Sequence, residues 1–148
     1  MHFYFAYGSN MNRDQMNKRC PGATLLGPAM LPDFRLAFTI YSPNRECGCA
    51  DIVHSPGDTV HGLLYQLPDT DLRTLDKYEG HPNQYLRFSV AVHTPDGGVI
   101  ESESYHVVNK TPGLHPSPEY LGLILDASVE HGFPELYIEM LRNTRTQT

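Results

Sequence analysis

The sequence has no tryptophan, only three cysteines and no surplus of basic residues. Its 11 lysines and arginines are outnumbered by 17 aspartates and glutamates, and the formal net charge is −6. Nucleic-acid binding depends on a basic surface that neutralises phosphates, and nothing basic is clustered here. We therefore expect no nucleic-acid partner.

Long apolar runs are also missing. No stretch approaches the roughly 20 apolar residues that cross a bilayer, and the N-terminus has no basic segment leading into an apolar one. We therefore expect neither a membrane partner nor a signal peptide. The cysteines Cys20, Cys47 and Cys49 are odd in number, and Cys47 and Cys49 are too close for an easy mutual disulfide. This usage is typical of a reducing compartment and predicts a cytoplasmic location.

The length and composition are those of an ordinary globular protein. The chain has 148 residues, of which 40% are apolar and 19% are charged. Such a chain can bury a sizeable core within one domain. Because no repeat, low-complexity tract or linker divides it, we predict a single domain over residues 1–148.

Alternating apolar residues and turn signals predict several short strands. We expect strands at Met1–Tyr7, Phe34–Tyr41, Ala50–His54, Val60–Leu67, Gln84–Thr94 and Val99–Val108. The last two flank a Pro95–Gly98 turn and so form a hairpin. The pattern predicts about six or seven strands in all.

Capping signals predict three or four helices. Asn12 is a suitable N-cap for a helix through about Lys18. A second helix begins near Pro68 and ends at Gly80. Two more are expected at Pro118–Glu130 and Glu135–Arg142. Hairpins with helices in the connections indicate an α+β protein with a small, strongly curved sheet or barrel.

The stretch "FAYGSNM" joins the first strand to the first helix and has two interpretations. Gly8, Ser9 and Asn10 form either an ordinary turn or a backbone cradle, in which amides leading into a helix bind a carbonyl or anionic oxygen. Ser9 does not fit a nucleophile elbow, because that pattern needs Gly at the positions held by Tyr7 and Met11. The residue types leave the turn and the cradle open.

Glu79 in "LDKYEG" also has two interpretations. It lies at the end of a predicted helix, where a carboxylate faces the negative end of the helix dipole. It is either a solvated surface residue or a group in a cleft, where desolvation would raise its pKa and suit it to proton transfer. Residue type alone does not separate the two.

We predict no metal site. Cys47, Cys49, Asp51 and His54 lie near one another in the sequence, but the two cysteines lack the Cys-x-x-Cys spacing of zinc ligands and no second pair follows. The other histidines are scattered. We interpret them as exposed or ordinarily hydrogen-bonded residues.

Several motifs, in order, resemble the γ-glutamylcyclotransferase-like family. They are "YGSNM" near the N-terminus, "LDKYEG" at the end of a Pro-started helix, and "YLRFSV" shortly after it. The stretch "PSPEYLGLILDASVEHGFPELYIEML" is similar to the C-terminal part of the γ-glutamylcyclotransferases within that family. The similarity covers nearly the whole chain, and it implies a small mixed β-barrel flanked by helices.

The resemblance also implies site residues. The family's catalytic carboxylate matches Glu79, and Tyr85 and Tyr120 match aromatic positions that line its pocket. Arg87 matches a basic position whose role stays open. The substrate cradle matches Tyr7, Gly8, Ser9, Asn10 and Met11, the last of which is usually Leu in the family.

The implied reaction is an intramolecular acyl transfer. A γ-glutamyl amide cyclises to 5-oxoproline and releases an amine or amino acid, without a cofactor. Relatives that act on γ-glutamyl-lysine isopeptides or on biosynthetic intermediates provide an alternative substrate, and a non-catalytic binding module is a further alternative. The "PNRECG" loop and the Pro112–Pro118 connection are candidates for shaping the pocket mouth. The expected partner is a small γ-glutamyl molecule; a homodimer is compatible with the sequence, which carries no argument for one.

Overall fold

Five strands close into a barrel in this computed structural model, which describes residues 1–147. Their order around the barrel is β1-β3-β2-β4-β5, with parallel pairing only between β1 and β5 among these strands. The mixed barrel within an α+β fold is thus confirmed. The strands are β1 His2–Ala6, β2 Thr24–Ser42, β3 Cys47–Leu67, β4 Tyr85–His93 and β5 Val99–Val107.

Four α-helices lie in the connections and at the C-terminal end: α1 Arg13–Arg19, α2 Asp69–Glu79, α3 Pro118–Glu130 and α4 Glu135–Arg142. A short 3₁₀ helix, Ser9–Met11, precedes α1. The predicted N-cap of α1 is confirmed, because Asn12 Oδ1 accepts a hydrogen bond from the Gln15 amide at 2.9 Å. Within residues 1–147, no helix is long and apolar enough to cross a membrane.

The predicted number of strands is wrong, because two strands are much longer than expected. Phe34–Tyr41 is only the second half of β2, and the segments Ala50–His54 and Val60–Leu67 both belong to β3. The pairing of β2 with β3 continues through three register shifts, one of them between Pro32 and Phe34. Bulges of this kind bend a strand without ending it. Glycines and prolines that indicate strand ends in the sequence therefore lie inside strands.

The barrel interior and the helices share one apolar core. β1 contributes Phe5, and the 3₁₀ helix contributes Met11, which is fully buried in the same cluster. α2 and α3 add Leu75 and Ile124. Core packing therefore fixes the loop between β1 and α1 and provides a rigid support for those loop residues that lie outside the core.

Gly62 in β3 provides a sharp test of this packing. A Cβ atom at this position would lie 2.4 Å from the carbonyl oxygen of Ala6 and 2.7 Å from ring atoms of Phe5. We expect Gly62→Ala to lower the free energy of unfolding by roughly 3 kcal/mol, because relief of the clash requires β1 to move off β3. Urea denaturation measures the loss.

A matched control lies in α3. A Cβ at Gly122 would meet no described atom within 4 Å outside its own helix. Gly122→Ala is therefore expected to raise the free energy of unfolding by up to about 1 kcal/mol. Equal stability of Gly62→Ala and the wild type would contradict the close approach of β1 and β3.

Candidate active site

A cavity of about 660 Å³ lies where the loop after β1, the C-terminal end of α2 and the start of α3 meet the β2–β3 turn. Polar and aromatic side chains make up much of its lining. It brings together most of the residues that the sequence resemblance implies: Tyr7, Gly8, Ser9, Asn10, Glu79, Tyr85 and Tyr120.

Met11 and Arg87 are placed differently from these residues. Met11 is fully buried in the core and does not line the cavity, within the part of the chain that the structure describes. It supports the 3₁₀ helix from beneath. Arg87 binds Asp76, with 3.1 Å between its NH1 atom and Asp76 Oδ2, and so acts on α2 and not directly on the cavity.

Glu79 is the last residue of α2 and lies half-buried at the cavity wall. The helix ends there because Gly80 adopts a left-handed conformation with φ of 66°, which glycine reaches without a steric penalty. Burial raises the pKa of Glu79 from its ordinary value of 4.5 to about 7, while the guanidinium groups of Arg19 and, to a smaller extent, Arg45 limit the rise. The carboxyl group therefore exchanges a proton near neutral pH.

Asp76, one helical turn before Glu79, fixes this end of α2. The Tyr105 hydroxyl donates to Asp76 Oδ1 at 2.7 Å, and Arg87 donates to Oδ2. Both partners come from the β4–β5 hairpin. Arg87 also lies 3.7 Å from a carboxylate oxygen of Glu103. This network ties the helix that carries Glu79 to the barrel.

Asn10 connects Glu79 to residues of helix α1. It is buried, and its Nδ2 atom donates to the Tyr4 hydroxyl at 2.9 Å and to Glu79 Oε1 at 3.4 Å. Its Oδ1 atom accepts from Gln15 Nε2 at 2.9 Å and from Arg19 NH1 at 3.0 Å. All hydrogen-bonding directions of the amide are therefore used, which fixes Asn10 between the carboxylate and the arginine.

The 3₁₀ helix leaves two backbone N–H groups outside its own hydrogen bonds, in residues that line the cavity. Its first internal hydrogen bond runs from Met11 N to Gly8 O at 3.1 Å, so the amides of Ser9 and Asn10 precede the helical pattern and have no acceptor within it. Gly8 lies against β3, where an added Cβ would be only 3.2 Å from that of Ala50. The amides are suited to bind an anionic oxygen.

Three tyrosine hydroxyls are anchored by backbone groups. Tyr85 donates to the Ala50 carbonyl at 2.6 Å, and Tyr7 donates to the Tyr105 carbonyl at 2.8 Å. The Tyr120 hydroxyl instead accepts from the Ala50 amide at 3.0 Å. Burial raises the pKa of Tyr120, so this hydroxyl keeps its proton. Tyr120 is therefore able to donate a hydrogen bond to a ligand.

Comparison with known proteins places the chain in a family. A model of the AIG2-like family matches residues 59–141. The chain is 35% identical over 145 residues to gamma-glutamylcyclotransferase of Bos taurus, covering 95% of this chain and 77% of that protein. The corresponding protein of Homo sapiens is 35% identical over 144 residues, with coverages of 94% and 76%. This chain belongs to the γ-glutamylcyclotransferase family.

The structural comparison agrees with the sequence comparison. A solved structure named gamma-glutamyl cyclotransferase superposes with a TM-score of 0.92 at 33% identity, covering 99% of this chain and 89% of the other. The resemblance to the γ-glutamylcyclotransferase-like family is thereby confirmed. The roles of individual residues in this γ-glutamylcyclotransferase-family site stay predictions.

Three polar residues of the site carry no sequence motif. Arg19 ends α1, and its guanidinium carbon lies 4.5 Å from the centre of the Tyr78 ring. Gln15 bridges Ser9 and Asn10 through its Nε2 atom, at 2.9 Å from each acceptor. Arg45 comes from the β2–β3 turn. Its only sequence signal is its position in the "PNRECG" loop.

The two segments expected at the pocket mouth have different positions. Pro43, Asn44 and Arg45 of the "PNRECG" loop line the cavity. In contrast, Pro112 and Gly113 line a separate surface groove beside Lys110. Of these two segments, the β2–β3 turn is thus the one that contributes to the cavity.

The residues considered as metal ligands form no centre within the described part of the chain. Among residues 1–147, no three His, Cys, Asp or Glu side chains are grouped so as to hold an ion. Cys47 and Cys49 are free, buried thiols, as is Cys20. Burial raises the pKa of Cys49 to about 12, which makes it a poor metal ligand or nucleophile at neutral pH.

Proposed function

We propose that this protein is a cytoplasmic γ-glutamylcyclotransferase, which converts a small γ-glutamyl amide to 5-oxoproline and releases an amine or amino acid. The observation that carries the proposal is a single carboxyl group, Glu79, with a pKa of about 7 inside the cavity that the Gly8–Asn10 loop lines. The curated relatives carry this enzyme's name, and the three free thiols suit a reducing compartment.

The first step is removal of a proton from the α-ammonium group of the substrate. An α-ammonium group at a chain terminus has a pKa of roughly 8, and the α-carboxylate on the same carbon of a γ-glutamyl substrate raises this pKa further. Transfer to a carboxylate with a pKa of about 7 is therefore uphill by somewhat more than about 1.4 kcal/mol. Transfer to an ordinary glutamate would cost several kcal/mol more. Desolvation of Glu79 therefore supplies the match in proton affinity that general-base catalysis requires.

The second step is attack of the freed amine on the γ-carbonyl carbon. Both groups belong to one molecule, so the enzyme needs only to hold the chain in a folded conformation. The carbonyl oxygen becomes an oxyanion, and the amides of Ser9 and Asn10 with the Tyr120 hydroxyl supply donors for it. Loss of one such donor typically raises the barrier by roughly 3–4 kcal/mol.

The last step breaks the original C–N bond. The attacking nitrogen loses two protons in becoming the lactam N–H, and Glu79 passes a proton to the departing nitrogen. Glu79 then takes the second proton from the attacking nitrogen and releases it through solvent to the departing amine, which leaves as an ammonium ion at neutral pH while Glu79 returns to its carboxylate form. No external nucleophile enters. Cys49, which lines the cavity, is a poor nucleophile at neutral pH, because burial raises the pKa of its thiol to about 12.

The pH dependence follows from the pKa of Glu79. The unprotonated carboxylate is the active form, so log kcat/KM should rise with unit slope below about pH 7 and level off above it. Initial rates of 5-oxoproline release between pH 5 and 8.5 measure the profile. A profile that stays flat from pH 5 upward would contradict the raised pKa of Glu79.

The function itself is tested by a panel of γ-glutamyl compounds with 5-oxoproline detection. γ-Glutamyl-alanine, γ-glutamyl-ε-lysine and glutathione are assayed in parallel with the purified protein. Release from at least one of them is expected. No release from any of the three, together with tight binding of another metabolite, would support a binding module instead.

A further inference from the structure

Charged side chains in the cavity match a particular kind of substrate. Three of the described residues that line it are charged at neutral pH: Arg19, Arg45 and the ionised form of Glu79. A γ-glutamyl amino acid carries two carboxylates and one ammonium group, which balances two guanidinium groups and one carboxylate. A γ-glutamyl amine has a single carboxylate and would leave one guanidinium group without a partner, at a cost in desolvation.

The two arginines reach the cavity from different segments, α1 and the β2–β3 turn, and Arg19 has the larger influence on Glu79. Arg19 donates to Asn10 Oδ1, and Asn10 in turn contacts Glu79. Arg19 is therefore next to the reacting end, where the α-ammonium and α-carboxylate of the glutamyl group lie on the same carbon. Arg45 comes from the β2–β3 turn together with Pro43 and Asn44, which line the cavity and are exposed to solvent.

Arg45 is held in place while part of its guanidinium group stays available. Its NH2 atom donates to Gln15 Oε1 at 2.6 Å and lies 3.5 Å from Ser9 Oγ. Its guanidinium carbon lies 5.0 Å from the centre of the Tyr120 ring. The described hydrogen bonds of its guanidinium group run through NH2, so NH1 is free to donate to a carboxylate.

We propose that Arg45 is the specificity-determining residue for the departing group, which it selects by pairing with a carboxylate on that group. The inference rests on the proposed cyclisation at Glu79. It predicts that γ-glutamyl amino acids with a free carboxylate are preferred over matched compounds in which this carboxylate is an amide. Arg45 of the β2–β3 turn thus recognises a carboxylate of the substrate that takes no part in the reaction at Glu79.

The experiment compares γ-glutamyl-alanine with γ-glutamyl-alaninamide, which differ only in that carboxylate. For the wild type we expect kcat/KM to be roughly 30-fold higher with the acid, since a charge-assisted hydrogen bond contributes to binding. In Arg45→Met this preference should fall to within about threefold of unity, and Arg45→Lys should restore part of it. Thermal unfolding verifies that each variant is folded.

Arg35→Met is the matched control, because Arg35 is an exposed arginine on the same hairpin, in β2. It should keep the wild-type preference. If Arg45→Met reduces kcat/KM equally for both compounds, Arg45 only supports the turn and the proposal is overturned. Failure of the proposed function would look different, since the wild type would then release no 5-oxoproline from either compound.

Discussion

Glu79→Gln is expected to reduce 5-oxoproline release by roughly 1000-fold while the barrel stays folded. The size follows from the usual contribution of a positioned general acid–base group. Glutamine keeps the shape of the side chain and an oxygen for the Asn10 amide, but it cannot accept the substrate proton. The measurement is kcat/KM at pH 8, where the wild-type carboxyl group is ionised.

The control for this substitution is Glu101→Gln on β5, where the side chain is exposed. It changes the net charge by the same amount and should leave the rate within about twofold of the wild type. Full activity in Glu79→Gln would remove Glu79 from the mechanism.

Stability provides an independent test of the same group. Because burial raises the pKa of Glu79 from 4.5 to about 7, the folded state favours the protonated form. The protonated carboxyl group therefore contributes stability to the folded wild type that is fully present below about pH 4.5 and is lost as the pH rises through 7. Glu79→Gln does not ionise, so its free energy of unfolding should rise relative to that of the wild type as the pH increases over this range. The difference should reach on the order of 3 kcal/mol above pH 7. Denaturant titrations at pH 4.5, 6 and 8 show whether the difference grows.

Asp51→Ala should lower the free energy of unfolding by about 3–5 kcal/mol, a large part of the 5–15 kcal/mol of a typical domain. Asp51 is fully buried in β3. Its Oδ1 atom accepts from the amides of Ile52 and Val107, each at 2.8 Å. Its Oδ2 atom accepts from Thr39 at 2.8 Å and from Lys110 at 2.7 Å. Removal of the carboxylate leaves these donors without a partner.

A graded series keeps this prediction testable even if Asp51→Ala does not fold. Asp51→Asn retains an oxygen for the two amides and should cost less than the alanine change. Lys110→Met should cost least, because the lysine side chain is 38% exposed and the carboxylate keeps its other three donors. Urea denaturation should rank the variants in this order. Losses below about 1 kcal/mol for both Asp51 variants would contradict the role of the carboxylate.

The helices could be predicted from the sequence because their signals are local. Asn12 and Ser117 are N-caps whose side chains accept from the amides of Gln15 and Tyr120, and Gly80 ends α2 in a left-handed conformation. Each signal involves residues within one helical turn. The pattern therefore predicts the bounds of α3 and α4 as the structure has them.

The long strands could not be predicted in the same way. Pro32 and Asp33 in β2 are typical of a strand end, and Asp33 has a positive φ of 65°. The register nevertheless shifts there and the ladder with β3 continues. Whether such a residue ends a strand or bulges within it is decided by the partner strand, which is distant in sequence. Local patterns do not contain that information.

The site was predictable only where it carries family motifs. The "YGSN" and "LDKYEG" segments identify the loop and Glu79, which the structure places at one cavity. Arg19 and Arg45 reach the cavity because α1 and the β2–β3 turn fold over it, and an arginine near a helix end or in a turn is usually solvated. Met11 is the opposite case, since it lies within the motif but its side chain fills the core.

The double anchoring of Tyr85 and Tyr120 at Ala50 has an evolutionary consequence. Both hydroxyls bind the main chain of residue 50, through its carbonyl and its amide. The aromatic wall therefore does not depend on which small side chain occupies that position. Natural variation at residue 50 should thus be neutral for the placement of the rings, up to the size that the neighbouring Gly8 tolerates, and a survey of homologues should find Ala, Ser and Gly exchanging there.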